Sequence, residues 1–278
     1  MQASIATVPA HTEEPNEDFA AVGPAAAVLL DGAGLPEGVA SGCSHGAAWF
    51  ARNLGGALLA SISGPGGGSL ADGLAESIRR VRSLHDGTCD LTHEGTPSAT
   101  VVAVRLRKLV LEYLVLADSV LLVQRPNDDP LVACDDREMS TGRPYRAALD
   151  AAPIGTAAYK TALQEYKESV RDRRNRPGGF WVASADPAAA MQALTGEIPL
   201  EDIESVTLLS DGASRLVDKF DLATWSDLVK IITEDGPGQL IRWTRAAEDS
   251  DPDGRRWPRG KARDDATAMF CRDLAPAI

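Results

Sequence analysis

Two strongly apolar runs of this sequence each end in an aspartate followed by a glycine, and that pattern limits the folds that the chain can adopt. The runs are "AAAVLLDGAG" at residues 25–34 and "VTLLSDGAS" at residues 206–214. A strand that is apolar on both faces has to lie inside a layered structure, where an ionised side chain is unfavourable. The acid is therefore accommodated only at the strand end. The pattern predicts buried strands that bring Asp31 and Asp211 to the edge of a sheet.

Other acids stand beside apolar runs in the same way: Asp18 in "PNEDFAAV", Asp118 in "VLADSVLLV", and Asp264 or Asp265 in "ARDDATAMF". Carboxylates that converge without basic partners raise one another's pKa values unless divalent cations neutralise them. Mg²⁺ and Mn²⁺ prefer such oxygen ligands. Asp-Gly alone is typical of an ordinary turn, but the ordered set of acids predicts a metal site. We also expect each glycine to let the chain turn and to leave a backbone carbonyl open to a metal.

The order of the predicted elements indicates an α+β fold with antiparallel sheets and helices packed outside them. After the first apolar strand come two helices with apolar stripes, and residues 98–134 predict about four antiparallel strands in a meander. Residues 180–187 predict a strand, residues 188–196 a short helix and residues 206–210 a further strand. Two helices and a final strand at residues 265–274 complete the pattern.

The polar segment at residues 135–181 differs from the rest of the chain. It has charges of both signs, a predicted helix near residues 156–170 and the basic run "RDRRNRPGG". Long polar excursions of this kind usually lie on the surface. We interpret the segment as a flap inserted in a single domain that spans residues 1–278.

Composition excludes several classes of function. The formal net charge of −12 argues against binding to nucleic acid or to an anionic membrane surface. The sequence has no signal peptide and no run of apolar residues that would span a membrane, which predicts a cytoplasmic protein. Its cysteines lack CxxC spacing and predict buried thiols in a reducing compartment, not a zinc site or a disulfide framework. They are Cys43, Cys89, Cys134 and Cys271.

Taken in order, the motifs resemble those of the metal-dependent Ser/Thr protein phosphatases of the PPM (type-2C) family. "PNEDFA" resembles the family's Asn-Glu-Asp segment, "VLLDGAGL" its Asp-Gly-x-Gly motif and "TPSATVVAV" its entry into a central strand. "LADSVLLV" resembles its Gly-Asp-Ser hairpin, "LLSDGAS" its Ser-Asp-Gly motif and "RDDATAMF" its closing Asp-Asn/Asp-x-Thr motif. The resemblance covers nearly the whole chain and implies an αββα sandwich of two central sheets flanked by helices.

The resemblance also implies a phosphomonoester hydrolase in which two Mg²⁺ or Mn²⁺ ions activate a water for attack on phosphorus. Asp31 would bridge the ions, the Gly32 carbonyl would bind the first, and Asp211 and Asp264 would hold the second. A third-metal site would lie at Asp118 and Asp211. The implied metal ligands are Asp18 (with Glu17 beside it), Asp31, Gly32, Asp118, Asp211 and Asp264, of which Asp31, Asp211 and Asp264 are the catalytic set.

The sequence departs from the family pattern at the arginine that binds the substrate phosphate, three residues before the Asn-Glu-Asp asparagine. Glu13 occupies that position, and a carboxylate cannot bind phosphate as an arginine does. Arg174 or Arg176 would substitute for it if the flap reaches the site. The alternative is that this basic run is a solvated surface segment.

Two further departures concern the motifs themselves. Ala33 stands where eukaryotic members often carry a histidine, and "ADSV" replaces Gly-Asp-Ser-Arg, which introduces Ala117 and Val120. A lone histidine is more often a surface or packed residue than a catalytic one. We therefore expect no catalytic role for the four histidines, His11, His45, His85 and His93.

These observations predict a Mg²⁺- or Mn²⁺-dependent Ser/Thr protein phosphatase whose partner is a phosphoprotein. The missing arginine and the flap leave a small-molecule phosphatase as an alternative. A non-catalytic protein that keeps the fold and binds a phosphoprotein is a third hypothesis. The retained acids argue against it, since a binding module does not need four desolvated carboxylates.

Overall fold

The strands of the protein form two sheets of five strands each, in which every strand pair is antiparallel. The computed structural model describes residues 1–35, 41–64, 68–85 and 87–275. Strands are numbered in chain order. The first sheet has the order β2 (Phe19–Val22), β3 (Ala26–Ala33), β4 (Ser98–Arg107), β5 (Val110–Leu116) and β8 (Leu194–Pro199). The second has the order β1 (Gln2–Val8), β10 (Ala266–Arg272), β9 (Ser205–Leu209), β6 (Val120–Gln124) and β7 (Leu131–Ala133).

Helices cover the outer face of each sheet. The first sheet is covered by α1 (Gly46–Ile62) and α2 (Leu70–Ser83), and the second by α6 (Asp211–Asp218), α7 (Trp225–Asp235) and α8 (Pro237–Ser250). Between β7 and β8 lie α3 (Arg137–Gly142), α4 (Arg146–Ala151) and α5 (Ala157–Arg171). Among the described residues, no helix has both the length and the apolar character needed to cross a bilayer. The predicted α+β class and αββα sandwich are confirmed.

Burial on both faces explains why the first apolar run has no polar residue before its acid. In β3, Val28 and Leu30 pack with α1 and α2, whereas Ala27 and Leu29 pack between the two sheets. All of these side chains are fully buried. A polar residue at any of these positions would lose its hydration without a partner, so only apolar residues are tolerated along the strand.

The strand register brings the predicted acids to one end of the sandwich. In the first sheet Phe19 pairs with Leu30, which places the preceding Asp18 beside the strand end that carries Asp31. In the second sheet Leu209 pairs with both Val120 and Ala268. Because these strands are antiparallel, the start of β6, the end of β9 and the start of β10 lie at one edge. That edge carries Asp118, Asp211, Asp264 and Asp265.

Several predicted elements differ from the structure. The four strands of residues 98–134 do not form one meander, because the chain crosses between sheets at residues 117–119, after β5. Residues 180–187 make only isolated bridges and form no strand of either sheet. The short helix predicted at residues 188–196 is a 3₁₀ helix at Pro187–Gln192, followed by β8. The edge strand β1 was not predicted, because its residues are mostly exposed and form no continuous apolar run.

Two adjacent glycines of α1 provide a test of the packing against the first sheet. A Cβ at Gly55 would overlap the Phe19 ring and lie 3.0 Å from Leu30 Cδ1, whereas a Cβ at Gly56 would meet no atom within 4 Å. We expect Gly55→Ala to lower the free energy of unfolding by about 1–3 kcal/mol through overpacking. The matched variant Gly56→Ala should raise it by about 0.5–1 kcal/mol through helix propensity. Urea unfolding measures both, and equal effects of the two variants would contradict the packing described.

Candidate functional site

Asp31 and Asp211 come together where the ends of β3 and β9 meet. Burial, followed by the charge of Asp18, raises the pKa of Asp31 well above its ordinary value. Burial would also raise the pKa of Asp211, but nearby cations and a hydrogen bond donated by the Asp31 carboxyl hold it below its ordinary value. The opposite directions of these two pKa shifts show that the carboxylates influence each other, and a proton or a cation between them would relieve their repulsion. The cations near Asp211 are Arg215, Lys261 and Lys219.

Asp18, which precedes β2, is the acid with the least satisfied environment. It is 6% exposed, and neither of its carboxylate oxygens has a partner at hydrogen-bond distance, although the nearby hydroxyls of Thr267 and Ser210 act to lower its pKa. Burial raises its pKa to about 7. A buried acid with two unpaired oxygens is unfavourable for folding unless a ligand satisfies it. Asp18 therefore points to a bound cation at this site.

Asp264 is held by two cationic side chains. Its Oδ1 accepts a hydrogen bond from Lys261 Nζ at 2.6 Å and its Oδ2 accepts one from Arg215 at 2.9 Å. Arg215 is buried and also pairs with Glu248 at 2.6 Å, so its position is fixed. The Lys261 side chain is 59% exposed, although the charges of Asp264, Asp211 and Asp31 outweigh burial and raise its pKa. A metal ion at Asp264 would therefore compete with Lys261 and not with Arg215.

Asp265, the alternative to Asp264 in the sequence motif, has a different role. Its oxygens accept hydrogen bonds from the backbone N–H groups of Ala10 at 2.7 Å and Glu17 at 2.6 Å. These bonds attach the N-terminal loop to the start of β10. Asp265 thus positions the segment that carries Asp18.

Asp118 lies beside an acid that the sequence analysis missed. Burial, followed by the charges of Glu138 and Asp211, raises the pKa of Asp118 well above its ordinary value. Burial and the charge of Asp211 also raise the pKa of Glu138 to about 7. Glu138 lies in the first turn of α3, within a polar segment that has no apolar run to mark it. The preceding Ala117 has φ 67°, a left-handed conformation that favours glycine, the residue expected there from the motif that this segment resembles.

The two glycines that follow the acids are explained by close backbone contacts, not by the turn expected from the sequence. Neither has a positive φ. A Cβ at Gly32 would lie 2.7 Å from the carbonyl oxygen of Glu17, and a Cβ at Gly212 would overlap that of Asp265. After Asp211 the chain continues directly into α6. Each glycine therefore lets a neighbouring acidic segment approach the strand end.

The two arginines proposed for phosphate binding occupy different environments. Arg174 is half-buried, and its guanidinium donates hydrogen bonds to the carbonyls of Glu94 at 2.7 Å and Thr96 at 3.3 Å. Burial lowers its pKa, and the charge of Glu138 opposes that effect. Arg176 is exposed and lines the same cleft as Arg174. Both remain predicted substrate-binding residues, with Arg174 the nearer to the acids.

A second cleft, beside Glu17 and Asp264, carries two lysines that the sequence analysis also missed. Lys167 comes from α5, and Lys261 from the loop before β10. Lys167 is exposed, and desolvation by its surroundings followed by the charge of Lys261 lowers its pKa. A sequence alone does not indicate which isolated lysines of its polar segments reach a functional site.

The cysteines and histidines are not scattered as the sequence analysis assumed. Ligand atoms of Cys43, His45, His85 and Cys89 all lie within 4.8 Å of one another. His85 is buried, at 4% exposure. The prediction of buried thiols is wrong for Cys43, Cys89 and Cys134, which are partly exposed, and holds for Cys271. Residues far apart in sequence carry no signal of a cluster until the fold is known.

The acids fit hard divalent cations by their chemistry. All the donors are oxygens, the pKa of Asp31 and Asp118 is strongly raised, and Asp18 has no partner. A bound cation would stabilise the ionised form of these acids and would supply a partner for Asp18. Among the described residues, no three of these acids have oxygens all within 4.8 Å of one another, so they do not form a closed set of ligands.

Comparison with solved structures identifies the fold. A bacterial serine phosphatase matches with a TM-score of 0.62 and 14% identity, over 100% of this chain and 99% of that one. The catalytic domain of the Ser/Thr phosphatase PstP, solved with two manganese ions, matches with a TM-score of 0.57 and 14% identity, over 97% and 96% of the chains. The PPM Ser/Thr phosphatase MsPP from Mycobacterium smegmatis, solved with cacodylate, matches with a TM-score of 0.56 and 16% identity, over 99% of each chain.

The chain therefore has the fold of the PPM-type Ser/Thr phosphatases, and the resemblance seen in its motifs is confirmed at the level of the fold. Neither a protein-family model nor a curated protein matches the sequence.

The raised pKa of Asp18 predicts a pH dependence of stability in chelator. Its folded value of about 7 exceeds the reference value of 3.8, so its contribution to folding is present at low pH and lost as pH rises between these values. We expect wild type to lose about 2–4 kcal/mol relative to Asp18→Asn across this range, since one pKa unit corresponds to about 1.4 kcal/mol.

Urea unfolding at several pH values measures this difference. The exposed Asp235→Asn should follow wild type, and added Mn²⁺ should reduce the loss. Parallel curves for wild type and Asp18→Asn would contradict the prediction.

Proposed function

We propose that the chain is a divergent PPM-type enzyme, a Mg²⁺- or Mn²⁺-dependent hydrolase that removes phosphate from phosphoserine and phosphothreonine in proteins. The buried carboxylate of Asp18, without a partner at hydrogen-bond distance and beside the interacting acids Asp31 and Asp211, is the observation that carries this proposal. The proposal includes a single domain over residues 1–278, with residues 135–181 as a flap, and a cytoplasmic location.

Two divalent cations bound to the acids would supply the Lewis acidity that lowers the pKa of water and offsets charge on phosphoryl oxygens. Asp31 would contribute to the binding of both ions, and Asp118 and Asp211 would hold a third. Glu138 extends this third site, because its charge already acts on Asp118. The residues that would hold the cations are Asp18, Asp31, Gly32 through its carbonyl, Asp118, Asp211 and Asp264.

The chain's own groups prepare this site in three ways. Asp31 and Asp211 would both be held ionised by bound cations, so that both carboxylates could serve as ligands. Arg215 fixes one oxygen of Asp264 and leaves the other free once Lys261 departs. Asp265 holds the backbone N–H of Glu17, which keeps the acidic N-terminal loop against the strand ends.

Lys261 and Lys167 are the groups we propose for binding the substrate phosphate. Both line the cleft that contains Asp264, and Lys261 becomes available when a cation takes its place on that acid. A lysine binds phosphate as a point charge, without the paired hydrogen bonds of an arginine. This pair would compensate for Glu13, which is exposed.

A phosphoprotein substrate is supported by the structural neighbours, which are described as Ser/Thr phosphatases. A small-molecule phosphatase is the second candidate, because lysines replace the phosphate-binding arginine of the family. Turnover of phosphopeptides compared with phosphorylated metabolites separates the two. Higher kcat/KM for phosphopeptides supports the protein phosphatase.

Hydrolysis of p-nitrophenyl phosphate tests the proposed reaction. We expect activity with Mn²⁺ or Mg²⁺ that chelation abolishes. Asp211→Asn should lower kcat at least about a hundredfold, as the loss of a central electrostatic group does in other enzymes. The exposed Asp235→Asn controls for the chemical change and should retain activity. A folded, Mn²⁺-loaded protein that hydrolyses no phosphoester would refute the enzyme and favour a phosphoprotein-binding role.

The proposed phosphate-binding lysines predict a change in KM. Lys167→Gln and Lys261→Gln should each raise KM about tenfold, because a hydrogen bond to a charged group contributes about 1.5–3 kcal/mol. Lys160→Gln is the matched control, since Lys160 is exposed on the same helix α5 and does not line the cleft. Steady-state kinetics and inhibition by inorganic phosphate measure the effect. Unchanged KM in both variants would exclude these lysines and favour Arg174.

A further inference from the structure

The Cys43, His45, His85 and Cys89 cluster lies where two helices of the first layer meet. The first pair precedes and adjoins the start of α1, and the second pair follows the end of α2. The two helices pack against each other and are consecutive in the chain. The start of the first therefore lies beside the end of the second, which brings together residues about 40 positions apart.

Distances within the cluster match a tetrahedral zinc site. His45 Nδ1 lies 3.6 Å from Cys43 Sγ and 3.5 Å from Cys89 Sγ. Zinc binds sulfur at about 2.3 Å and imidazole nitrogen at about 2.0–2.1 Å, so tetrahedral geometry requires a sulfur–nitrogen separation of about 3.5 Å. Both measured separations agree with that value.

The histidine rings are already oriented for metal binding. His85 Nδ1 donates a hydrogen bond to the carbonyl of Val81 at 3.0 Å, which leaves Nε2 as the ligand atom. A ligating histidine commonly donates its other ring N–H to a backbone carbonyl in this way. The His45 ring stacks on Trp49 with centroids 4.2 Å apart and meets the His85 ring edge-on at 5.0 Å.

Polar groups lie beside the two sulfurs. The backbone N–H of His45 donates to Cys43 Sγ at 3.4 Å. Cys89 Sγ lies 3.6 Å from Thr88 Oγ1 and 3.8 Å from Ser44 Oγ. Burial raises the pKa of the Cys43 thiol, whereas at Cys89 hydrogen bonds outweigh burial and lower the pKa. Two thiolates would also neutralise a divalent ion.

We propose that Cys43, His45, His85 and Cys89 bind one structural Zn²⁺ ion, separate from the cations of the acidic site. Two thiolates and two imidazoles are a donor set that selects zinc over Mg²⁺ and Mn²⁺. Four protein ligands complete the tetrahedron, so no position is open for substrate. The ion ties the segment that enters α1 to the loop that leads from α2 to β4.

Zinc analysis of the purified, tag-free protein tests this assignment. We expect about one zinc per chain after mild chelation has cleared weakly bound ions, as structural zinc sites bind tightly. Cys89→Ser and His85→Asn should each lose that zinc, whereas Asp211→Asn and the buried Cys271→Ala should keep it. Zinc that is absent from wild type, or that Asp211→Asn removes and Cys89→Ser retains, would overturn the proposal.

Wild-type protein provides a second readout that does not depend on the folding of variants. Substitution with Co²⁺ should give the visible absorption of a tetrahedral thiolate complex. Cys43 and Cys89 are half-exposed, so they should resist alkylation when zinc is bound and react after strong chelation. Cys271 is buried and should resist alkylation both with zinc bound and after chelation. A disulfide between Cys43 and Cys89 in protein purified in reductant, detected by peptide mass spectrometry, would exclude the zinc site.

Discussion

Repulsion among carboxylates at one end of the sandwich is the interaction on which the rest of the structure depends. The strands deliver Asp31 and Asp211 to the same place, and the two acids are compatible there only because they share a proton or a cation. Asp18 adds a third carboxylate with no partner. The free energy that holds these acids together comes from the apolar layers behind them, which bury both faces of β3.

The acids of the site were predictable because each adjoins a strand whose apolar residues have to be buried. An apolar run must be buried, so the sequence alone indicates that Asp31 and Asp211 stand at strand ends. The antiparallel α+β sandwich followed from the order of such runs. The role of the glycines did not, because the contact of Gly212 with the Asp265 carbonyl joins segments about 50 residues apart.

Residues that reach the site from polar segments were not predictable. Glu138, Lys167 and Lys261 lie outside apolar runs, and only the packing of the flap and the last loop brings them to the acids. The cluster of Cys43, His45, His85 and Cys89 was not predictable either. Its spacing in sequence reflects the length of a helical hairpin and not a local motif. The crossing between sheets after β5 was not predicted, because a hairpin and a crossover have similar turn sequences.

The loop between α2 and β4 connects the proposed zinc site with the flap. Cys89 lies at its start, and further along it the Glu94 side chain pairs with Arg171 at 2.8 Å while its carbonyl accepts a bond from Arg174 at 2.7 Å. Arg174 in turn acts on Glu138, whose charge reaches Asp118. Zinc would therefore fix the loop against which the flap is anchored. The two proposed metal centres differ in chemistry, but they would be linked through this loop and the segment at residues 135–181.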